Sequence, residues 1–324
     1  MKRGLLDLLT CPDCRSPFDL RDASEVAGEV ESGWLSCSGG NHSYPIRRFI
    51  PRFVEADGYA DAFGLEWNEF RTTHLDSFTG LSRLDTEFRS FLDFPIEHLK
   101  GKLVLDAGCG LGRFSEIVLN YGGQVVAVDM SRAIDAAFEN LNHRDDIHFI
   151  QADIFKLPFR PETFDVAYST GVLHHTPDPP AAFACLPPLV KPGGRVMTMV
   201  YAKYNKAYLA TVEFYRKLTK RLPQKALLKL SYIAVPLYYV SKVPALGPFI
   251  TRILIPVSVN PPTHRWRVGN TFDLYSPRYA FYYDHVEVFN WYEKAGLTRI
   301  RPTGPESGVV YIATKPPVGD DICR

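Results

Sequence analysis

Residues 104–114 decide the fold, and they read Val-Leu-Asp-Ala-Gly-Cys-Gly-Leu-Gly-Arg-Phe. The apolar start of this stretch predicts a short buried strand. The three glycines let the chain turn sharply into a helix and let its backbone approach a ligand. Asp106 falls at the carboxyl end of the strand, which is where doubly wound sheets bind ligands. The stretch therefore predicts the first strand and binding loop of a Rossmann-like α/β sheet.

The glycine spacing indicates which ligand the loop binds. A dinucleotide-binding loop has glycine at its first, third and sixth places, and here the sixth place is Arg113. The loop thus lacks the pyrophosphate fingerprint, and a carboxylate precedes the glycines. These features favour a cationic or zwitterionic ligand, and S-adenosylmethionine has this character.

Two further apolar runs each lead to an acid. Residues 124–129 end at Asp129, about 20 residues beyond the glycines, where an acid binds ribose hydroxyls. Residues 147–151 form the next run, and Asp153 follows it, where a carboxylate can accept a hydrogen bond from an adenine amino group. We therefore expect Asp129 to bind ribose and Asp153 to bind adenine.

The remaining strand candidates complete a sheet. Residues 164–169 and 195–201 form a fourth and a fifth run, the latter entered through a Lys-Pro-Gly-Gly turn at 191–194. Residues 297–301 and 309–314 close the sheet. Helical or turn segments separate the first five strands, which indicates a mostly parallel sheet. The alternative is a nucleotide-binding sheet without transfer chemistry.

These motifs together resemble the class I S-adenosylmethionine-dependent methyltransferases. The resemblance covers residues 101–201 and resumes over 286–315. It implies a Rossmann-like, doubly wound, mostly parallel seven-stranded α/β sheet and S-adenosylmethionine as the cofactor. It also implies a cofactor site formed by Asp106, Ala107, Gly108, Cys109, Gly110, Gly112, Asp129, Met130, Asp153, Ile154 and Thr170.

Composition narrows the function further. The chain has 324 residues, of which 46% are hydrophobic and 23% charged, enough for one large core and an added module. A net charge of +1 gives no global electrostatic reason to bind nucleic acid. The first ten residues include Asp7 and lack a small-residue cleavage site, so they do not resemble a signal peptide. We therefore expect a cytoplasmic protein with reduced cysteines.

A second motif lies near the start of the chain. Cys11 and Cys14 form a Cys-x-x-Cys knuckle, and Cys37 and His42 follow it. Three thiolates and an imidazole suit a tetrahedral structural zinc. The second half of the motif resembles the zinc-ribbon-like module found ahead of some bacterial methyltransferases, including ribosomal-RNA guanine methyltransferases. We expect residues 1–56 to be such a module, and the alternative is a vestigial ribbon that no longer holds metal.

The rest of the chain divides around the sheet. Residues 57–100 are expected to be a helical cap segment, with Trp67 and Arg71 facing the acceptor unless the aromatic residues there simply pack in the core. The methyltransferase domain is expected to comprise 101–201 and 272–315. A helical, apolar insertion at 202–271 is the usual place for a substrate lid in this family.

The insertion is chemically unusual. Residues 191–230 contain ten Lys or Arg and one acid, Glu213, and a tyrosine-rich apolar stretch follows. This composition predicts a cover for an apolar acceptor or a peripheral membrane contact, and the alternative is a solvated helix face. It cannot span a membrane, because its longest uncharged run, 230–241, has 12 residues. Its acceptor-binding candidates, with the last sheet residue before it, are Tyr201, Tyr215 and Arg216.

Methyl transfer requires little beyond an aligned acceptor, so positioning and desolvation supply most of the rate. A hydroxyl acceptor also benefits from a base, and His174 and His175 follow the fourth strand at the expected edge of the cofactor pocket. The alternative is that one or both imidazoles brace the loop.

Three functions follow from these features. The first is methyl transfer to an oxygen or nitrogen of a small-molecule, glycan or lipid-linked acceptor. The second is RNA methylation, favoured by the zinc module and the basic stretch, although the overall charge makes RNA the less favoured partner. The third is cofactor binding without catalysis. The sequence leaves the oligomeric state open.

Overall fold

The structure is a computed structural model that describes residues 1–54, 58–305 and 308–317. It contains an antiparallel sheet at the amino end and a larger mixed sheet. The strands are β1 (Phe18–Val26), β2 (Glu29–Cys37), β3 (Ser43–Arg47), β4 (Ile50–Pro51), β5 (Leu103–Ala107), β6 (Gln124–Asp129), β7 (Ile147–Gln151), β8 (Phe164–Thr170), β9 (Val190–Tyr201), β10 (Thr298–Thr303) and β11 (Gly308–Thr314).

Helices cover the larger sheet and form most of the insertion. They are α1 (Asp61–Glu69), α2 (Asp76–Thr79), α3 (Arg83–Phe91), α4 (Arg113–Asn120), α5 (Ala133–Leu141), α6 (Pro179–Ala184), α7 (Lys206–Thr219), α8 (Gln224–Ser231), α9 (Ala234–Val240), α10 (Leu246–Phe249), α11 (His264–Tyr275) and α12 (His285–Lys294). A π-helical turn, Ile250–Leu254, follows α10.

The larger sheet has the predicted Rossmann-like topology. Its seven strands are ordered β10-β11-β9-β8-β5-β6-β7, and the five from β9 to β7 are parallel. Strand β11 pairs antiparallel with both β9 and β10. The chain order reverses between β8 and β5, so the crevice at their carboxyl ends is the expected ligand site.

One sequence prediction about this sheet was wrong in detail. Residues 191–194 do not form a turn ahead of a strand but belong to β9 itself. Phe164 pairs with Val190, whereas Val166 pairs with Arg195, so β9 advances five residues while β8 advances two. Gly193, with φ of 78°, supplies the left-handed backbone that this bulge requires.

The sheet is buried on both faces, which explains why its parallel strands are apolar throughout. Helices α4 and α5 pack on one face through residues such as Phe114, Ile117 and Ile134. Helices α6 and α12 pack on the other face through Phe183 and Tyr292. The loops that join these layers at the strand carboxyl ends are therefore held from both sides.

The antiparallel sheet β1-β2-β3-β4 forms the amino-terminal module and covers the β7 edge of the larger sheet. Arg52 makes a parallel bridge to Gln151, and Leu9 makes an antiparallel bridge to Phe159. Leu9 and Phe159 also belong to the same hydrophobic core. The module thereby pairs with a strand edge that would otherwise be exposed.

The insertion between β9 and α12 is mostly helical and has its own small core. Val212, Leu227, Phe272 and Tyr275 from α7, α8 and α11 are buried together. Within residues 1–54, 58–305 and 308–317, no helix has the length and apolar character needed to cross a bilayer.

Candidate functional site

A cavity of about 690 Å³ opens at the carboxyl ends of β5, β6 and β8. Its walls come from the glycine loop, the loops after β6, β7 and β8, helix α1 and the insertion. This volume lies within the range of pockets that hold small-molecule ligands. Because the chain order reverses between β8 and β5, the cavity lies at the topological switch point of the sheet.

The glycine loop brings two walls of the cavity together. Gly108 has φ of 90°, and a Cβ atom there would lie 2.4 Å from Val172 in the loop after β8. Gly110 has φ of 55°, and its amide donates to the Asp129 Oδ2 atom at 2.9 Å. Gly112 begins α4 and does not line the cavity, because it packs against Leu141 of α5.

Asp106 is held rigidly at the floor of the cavity. Its Oδ2 atom accepts hydrogen bonds from Ser115 Oγ at 2.7 Å and from the Tyr168 hydroxyl at 2.8 Å. Burial raises the pKa of Asp106 to about 6. Its orientation is therefore fixed before any ligand binds.

Asp129 lines the cavity and has a defined orientation. Its Oδ1 atom accepts from the amide and the hydroxyl of Ser131, at 2.8 and 2.7 Å, while Oδ2 accepts from Gly110. Together these bonds fix the acid against the glycine loop. Met130, Ala107, Cys109 and Thr170 also line the cavity.

Asp153 lies behind the cavity wall rather than on it. Its side chain accepts from the Phe155 amide at 3.1 Å and so caps the turn after β7. Ile154 lines the cavity, and so does Tyr59, whose hydroxyl pKa is raised by burial and by the nearby charge of Asp153. Tyr59 lies ahead of α1, and no local sequence signal pointed to it.

The two neighbouring histidines have different environments. His175 lines the cavity, and its Nδ1 atom lies 2.8 Å from the Tyr279 carbonyl oxygen. Because a carbonyl only accepts, Nδ1 donates and Nε2 is left as an acceptor. Burial lowers the pKa of His175, so the neutral imidazole is favoured.

His174 does not line the cavity. It is fully buried, and its ring centroid lies 3.8 Å from that of Tyr201 and 4.1 Å from that of His175. Neither of its ring nitrogens has a hydrogen-bond partner among the described residues. The His174 ring therefore packs against the rings of Tyr201 and His175, which line the cavity.

Tyrosines and one acid of the insertion form the side of the cavity away from the glycines. The Tyr201 hydroxyl donates to Asp273 Oδ2 at 2.9 Å. Asp273 lies on α11, and Tyr204, Tyr208 and Tyr282 line the same region. The sequence analysis missed Asp273, because a residue 72 positions from its partner leaves no local pattern.

The other acceptor-binding candidates do not all reach the cavity. Trp67 lines it, with its Nε1 atom 3.3 Å from where a Cβ on Gly110 would lie. Arg71 and Tyr215 do not line it, and the Tyr215 hydroxyl donates to the Leu254 carbonyl at 2.9 Å. Arg216 does line it but is only 2% exposed, so it does not belong to an exposed basic face.

Several lining residues were not predicted as ligands. His74 lies between Trp67 and Trp266 with its Nε2 atom 3.1 Å from Asn270 Oδ1. Burial lowers the pKa of His74 to about 3. Arg113, the residue that breaks the dinucleotide pattern, also lines the cavity.

The four predicted metal ligands meet in the amino-terminal module. The ligand atoms of Cys11, Cys14, Cys37 and His42 all lie within 4.8 Å of one another. The Cys14 and Cys37 sulfurs are 3.2 Å apart, and the Cys11 sulfur is 3.4 Å from His42 Nδ1. Tetrahedral zinc places thiolate and imidazole ligand atoms roughly 3.3–3.8 Å apart. The donor set therefore fits zinc.

Comparison with known proteins agrees with this geometry. Residues 105–198 match the family model described as a methyltransferase domain, and residues 2–48 match that of the Trm112p-like proteins. A ubiquinone biosynthesis O-methyltransferase of Aromatoleum aromaticum is 32% identical over 181 residues, which are 54% of this chain and 76% of that protein. The chain belongs to the methyltransferase family.

Two further similarities cover part of one chain or have low sequence identity. The enzyme of the same name from Coxiella burnetii is 37% identical over 116 residues. These residues are 35% of this chain and 50% of the Coxiella enzyme, so the chain spans about half the length of that relative. A solved structure of a SAM-dependent methyltransferase from Aquifex aeolicus aligns with 16% identity and a TM-score of 0.42. The alignment covers 76% of this chain and 93% of the Aquifex chain.

Proposed function

We propose that this methyltransferase transfers a methyl group from S-adenosylmethionine to a hydroxyl oxygen of a small aromatic acceptor. The observation that carries the proposal is the position of His175. His175 lines the same cavity as the glycine loop, among aromatic side chains, and its Nε2 atom is left as a hydrogen-bond acceptor. The names of the ubiquinone biosynthesis O-methyltransferases support oxygen as the acceptor atom.

The cofactor would occupy the glycine-loop side of the cavity. Asp106 suits its ammonium group, Asp129 suits the ribose hydroxyls, and Ile154 with Tyr59 suits the adenine ring. Asp153 would act indirectly, through its charge near the Tyr59 hydroxyl. When bound, S-adenosylmethionine supplies a methyl group made electrophilic by its sulfonium.

The acceptor would lie on the tyrosine side. Phe63, Trp67, Tyr201 and Tyr282 offer flat apolar walls for an aromatic ring. The acceptor hydroxyl would donate to His175 Nε2, which would take the proton as the oxygen–methyl bond forms and the sulfur–methyl bond breaks, leaving the demethylated cofactor as a neutral thioether. His174 would position the wall through its contact with Tyr201.

Replacing Asp129 with alanine should weaken S-adenosylmethionine binding. The change removes a ribose ligand and also the acceptor that fixes the Gly110 amide. Loss of such a charged partner costs about 1.5–3 kcal/mol, or roughly tenfold to 150-fold in affinity. Isothermal titration would measure this, with Asp145→Ala on the exposed surface as the matched control. Unchanged affinity in Asp129→Ala, or tight binding of NAD instead, would refute the cofactor assignment.

Replacing His175 with glutamine should lower kcat by roughly a hundredfold or more. Glutamine can still donate to the Tyr279 carbonyl, but it cannot take up a proton. Burial lowers the pKa of His175, so the neutral base persists below the ordinary histidine value of about 6.5. We expect wild-type single-turnover rates to stay constant through that value and to fall only at lower pH.

The pH profile distinguishes two roles of His175, a general base and a residue that only stabilises the loop. The acid-side fall should vanish in His175→Gln, while cofactor affinity stays the same, and the exposed His143→Gln should behave as wild type. An acid-side fall that survives in His175→Gln would show that the imidazole only holds the loop.

The acceptor class is tested by incubating the chain with methyl-labelled S-adenosylmethionine and fractionated cell extract. We expect the label in organic-soluble small molecules. Label in nuclease-sensitive material would establish the RNA alternative, which the Trm112p-like match and the basic insertion favour. Label in glycan would establish a glycan as the acceptor instead of a small aromatic molecule. Absence of label despite cofactor binding would indicate a non-catalytic protein.

We also propose that the amino-terminal module binds one structural zinc. Cys11, Cys14, Cys37 and His42 would fill its coordination sphere and leave no open position for catalysis. Bonds from Ser16 lower the pKa of Cys14 to about 6, which favours the thiolate that zinc requires. The boundary at 56 and the start of the cap at 57 fall outside the described residues, so the division into 1–56, 57–100, 101–201 with 272–315, and 202–271 is part of this proposal.

Replacing Cys37 with serine should reduce the zinc content from one ion per chain to nearly none. The measurement is elemental analysis of protein purified without chelator. Cys185→Ser is the matched control, because Cys185 lies on the methyltransferase domain outside the cluster. Zinc fully retained by Cys37→Ser would refute the ligand set, and unmodified protein without zinc would refute the metal.

A further inference from the structure

The insertion carries an unusual share of exposed apolar side chains. Among the described residues, twelve of the eighteen large hydrophobic side chains that are exposed lie between residues 204 and 254. Single exposed apolar residues are ordinary, whereas a concentration of them marks an interaction surface. They are Tyr204, Phe214, Leu218, Leu222, Leu230, Tyr232, Ile233, Tyr239, Val243, Leu246, Phe249 and Leu254.

These side chains lie on the outside of a packed unit. Phe214 and Leu218 are 61% and 54% exposed and are four residues apart on α7, so they share one side of the helix. The inward side of α7 contributes Val212 to the small core of the insertion. The bond from Tyr215 to the Leu254 carbonyl ties α7 to the π-helical turn, which carries exposed Leu254.

The same segment concentrates positive charge. Residues 204–260 contain nine Lys or Arg and one acid, a net charge of +8 in a chain whose total is +1, so the remaining residues carry −7. Exposed basic side chains lie beside the apolar ones along the helices of the insertion. They are Lys206, Lys217, Lys220, Arg221, Lys225, Lys229, Lys242 and Arg252.

We propose that this insertion face, formed by the exposed apolar and basic residues of 204–254, docks on the surface of an anionic phospholipid bilayer. Apolar side chains enter the boundary between headgroups and acyl chains, and Lys and Arg contact lipid phosphates. The face lies in the plane of the membrane, in keeping with its short helices.

Charge and chemistry favour a bilayer over other occupants. A second copy of the chain would bring a net charge of +8 against +8. RNA would satisfy the basic residues, but it offers no partner for Leu218, Leu246 or Leu254. Only an anionic surface with an apolar interior matches both components.

The insertion face adjoins the cavity. Tyr204, Tyr208 and Arg252 belong to the same segment and line the cavity wall. An apolar acceptor dissolved in the bilayer would therefore reach the tyrosine side of the cavity from the membrane. This delivery role rests on the proposed methyl transfer, whereas the docking itself does not.

The test is flotation of the full chain with vesicles, without S-adenosylmethionine. Vesicles contain phosphatidylcholine alone or phosphatidylcholine with phosphatidylglycerol. We expect binding to the anionic vesicles only, weakening as salt rises. Phe214→Glu with Leu218→Glu, and separately Lys217→Glu with Arg221→Glu, should each reduce binding by about tenfold or more.

Val286→Glu is the matched control, because Val286 is 69% exposed on α12, outside the insertion, and should leave binding unchanged. Cofactor titration checks that each variant remains folded. Because the lysine and arginine changes are on exposed side chains, they test the proposal even if the apolar variants misfold.

Several outcomes overturn the proposal. These are absence of flotation, equal flotation with neutral vesicles, or unchanged flotation in both double variants. A lipid-free dimer that the apolar variants dissociate would assign the face to self-association. RNA binding that the basic variants abolish, without vesicle binding, would assign it to nucleic acid. Vesicle binding without methyl transfer would refute the proposed function alone.

Discussion

The hydrogen bond from the Gly110 amide to Asp129 joins the two strands on which the cavity is built. It fixes the glycine loop after β5 against the acid that ends β6. The left-handed backbone at Gly108 also lets the loop after β8 approach to within contact of the glycines. Because a Cβ atom at Gly108 would overlap Val172, the positions of Val172 and then of His175 depend on glycine at residue 108.

The parts of the site that depend on local pattern could be predicted from the sequence. Strands β6 and β7 have the predicted bounds, since an apolar run that ends in a polar residue leaves little choice of register. The sequence could not show which of His174 and His175 lines the cavity, because their spacing does not determine which imidazole faces it. The bond between Tyr201 and Asp273 depends on the tertiary packing of the insertion.

Arg216 illustrates a different limit. The net charge of residues 191–230 is a property of the whole segment. It does not show which individual side chain is buried and which is exposed. Arg216 lies four residues after buried Val212 and so on the same inward side of α7. There its guanidinium donates to the Pro277 carbonyl at 2.5 Å, and its Nε atom lies 3.6 Å from Glu213. Its neighbours Lys217 and Arg221, in contrast, are exposed.

The amino-terminal module is linked to the cavity by polar contacts as well as by shared core. Arg52 donates to Asp135 at 2.6 Å and to Gln151 at 2.8 Å, and Gln151 donates to the carbonyl of Met130, which lines the cavity. Asp135 and Arg52 are mostly buried, so the pair fixes geometry more than it adds stability. A module held in this way helps to position Met130 in the cavity wall.

Within the part of the chain that the structure describes, several polar atoms in the cavity wall and behind it are buried without a hydrogen-bond partner. Among the described residues, Thr170 Oγ1, Arg216 Nε, both carboxyl oxygens of Glu66 and both ring nitrogens of His174 are buried without a hydrogen-bond partner. Each such atom costs about 1–3 kcal/mol, so stability alone would not retain them. Thr170 and Arg216 line the cavity, and burial raises the pKa of nearby Glu66, which favours its neutral form. A site with unsatisfied polar groups discriminates strongly against ligands that lack the matching donor or acceptor. The same arrangement that weakens the fold locally therefore provides a basis for selecting among similar ligands.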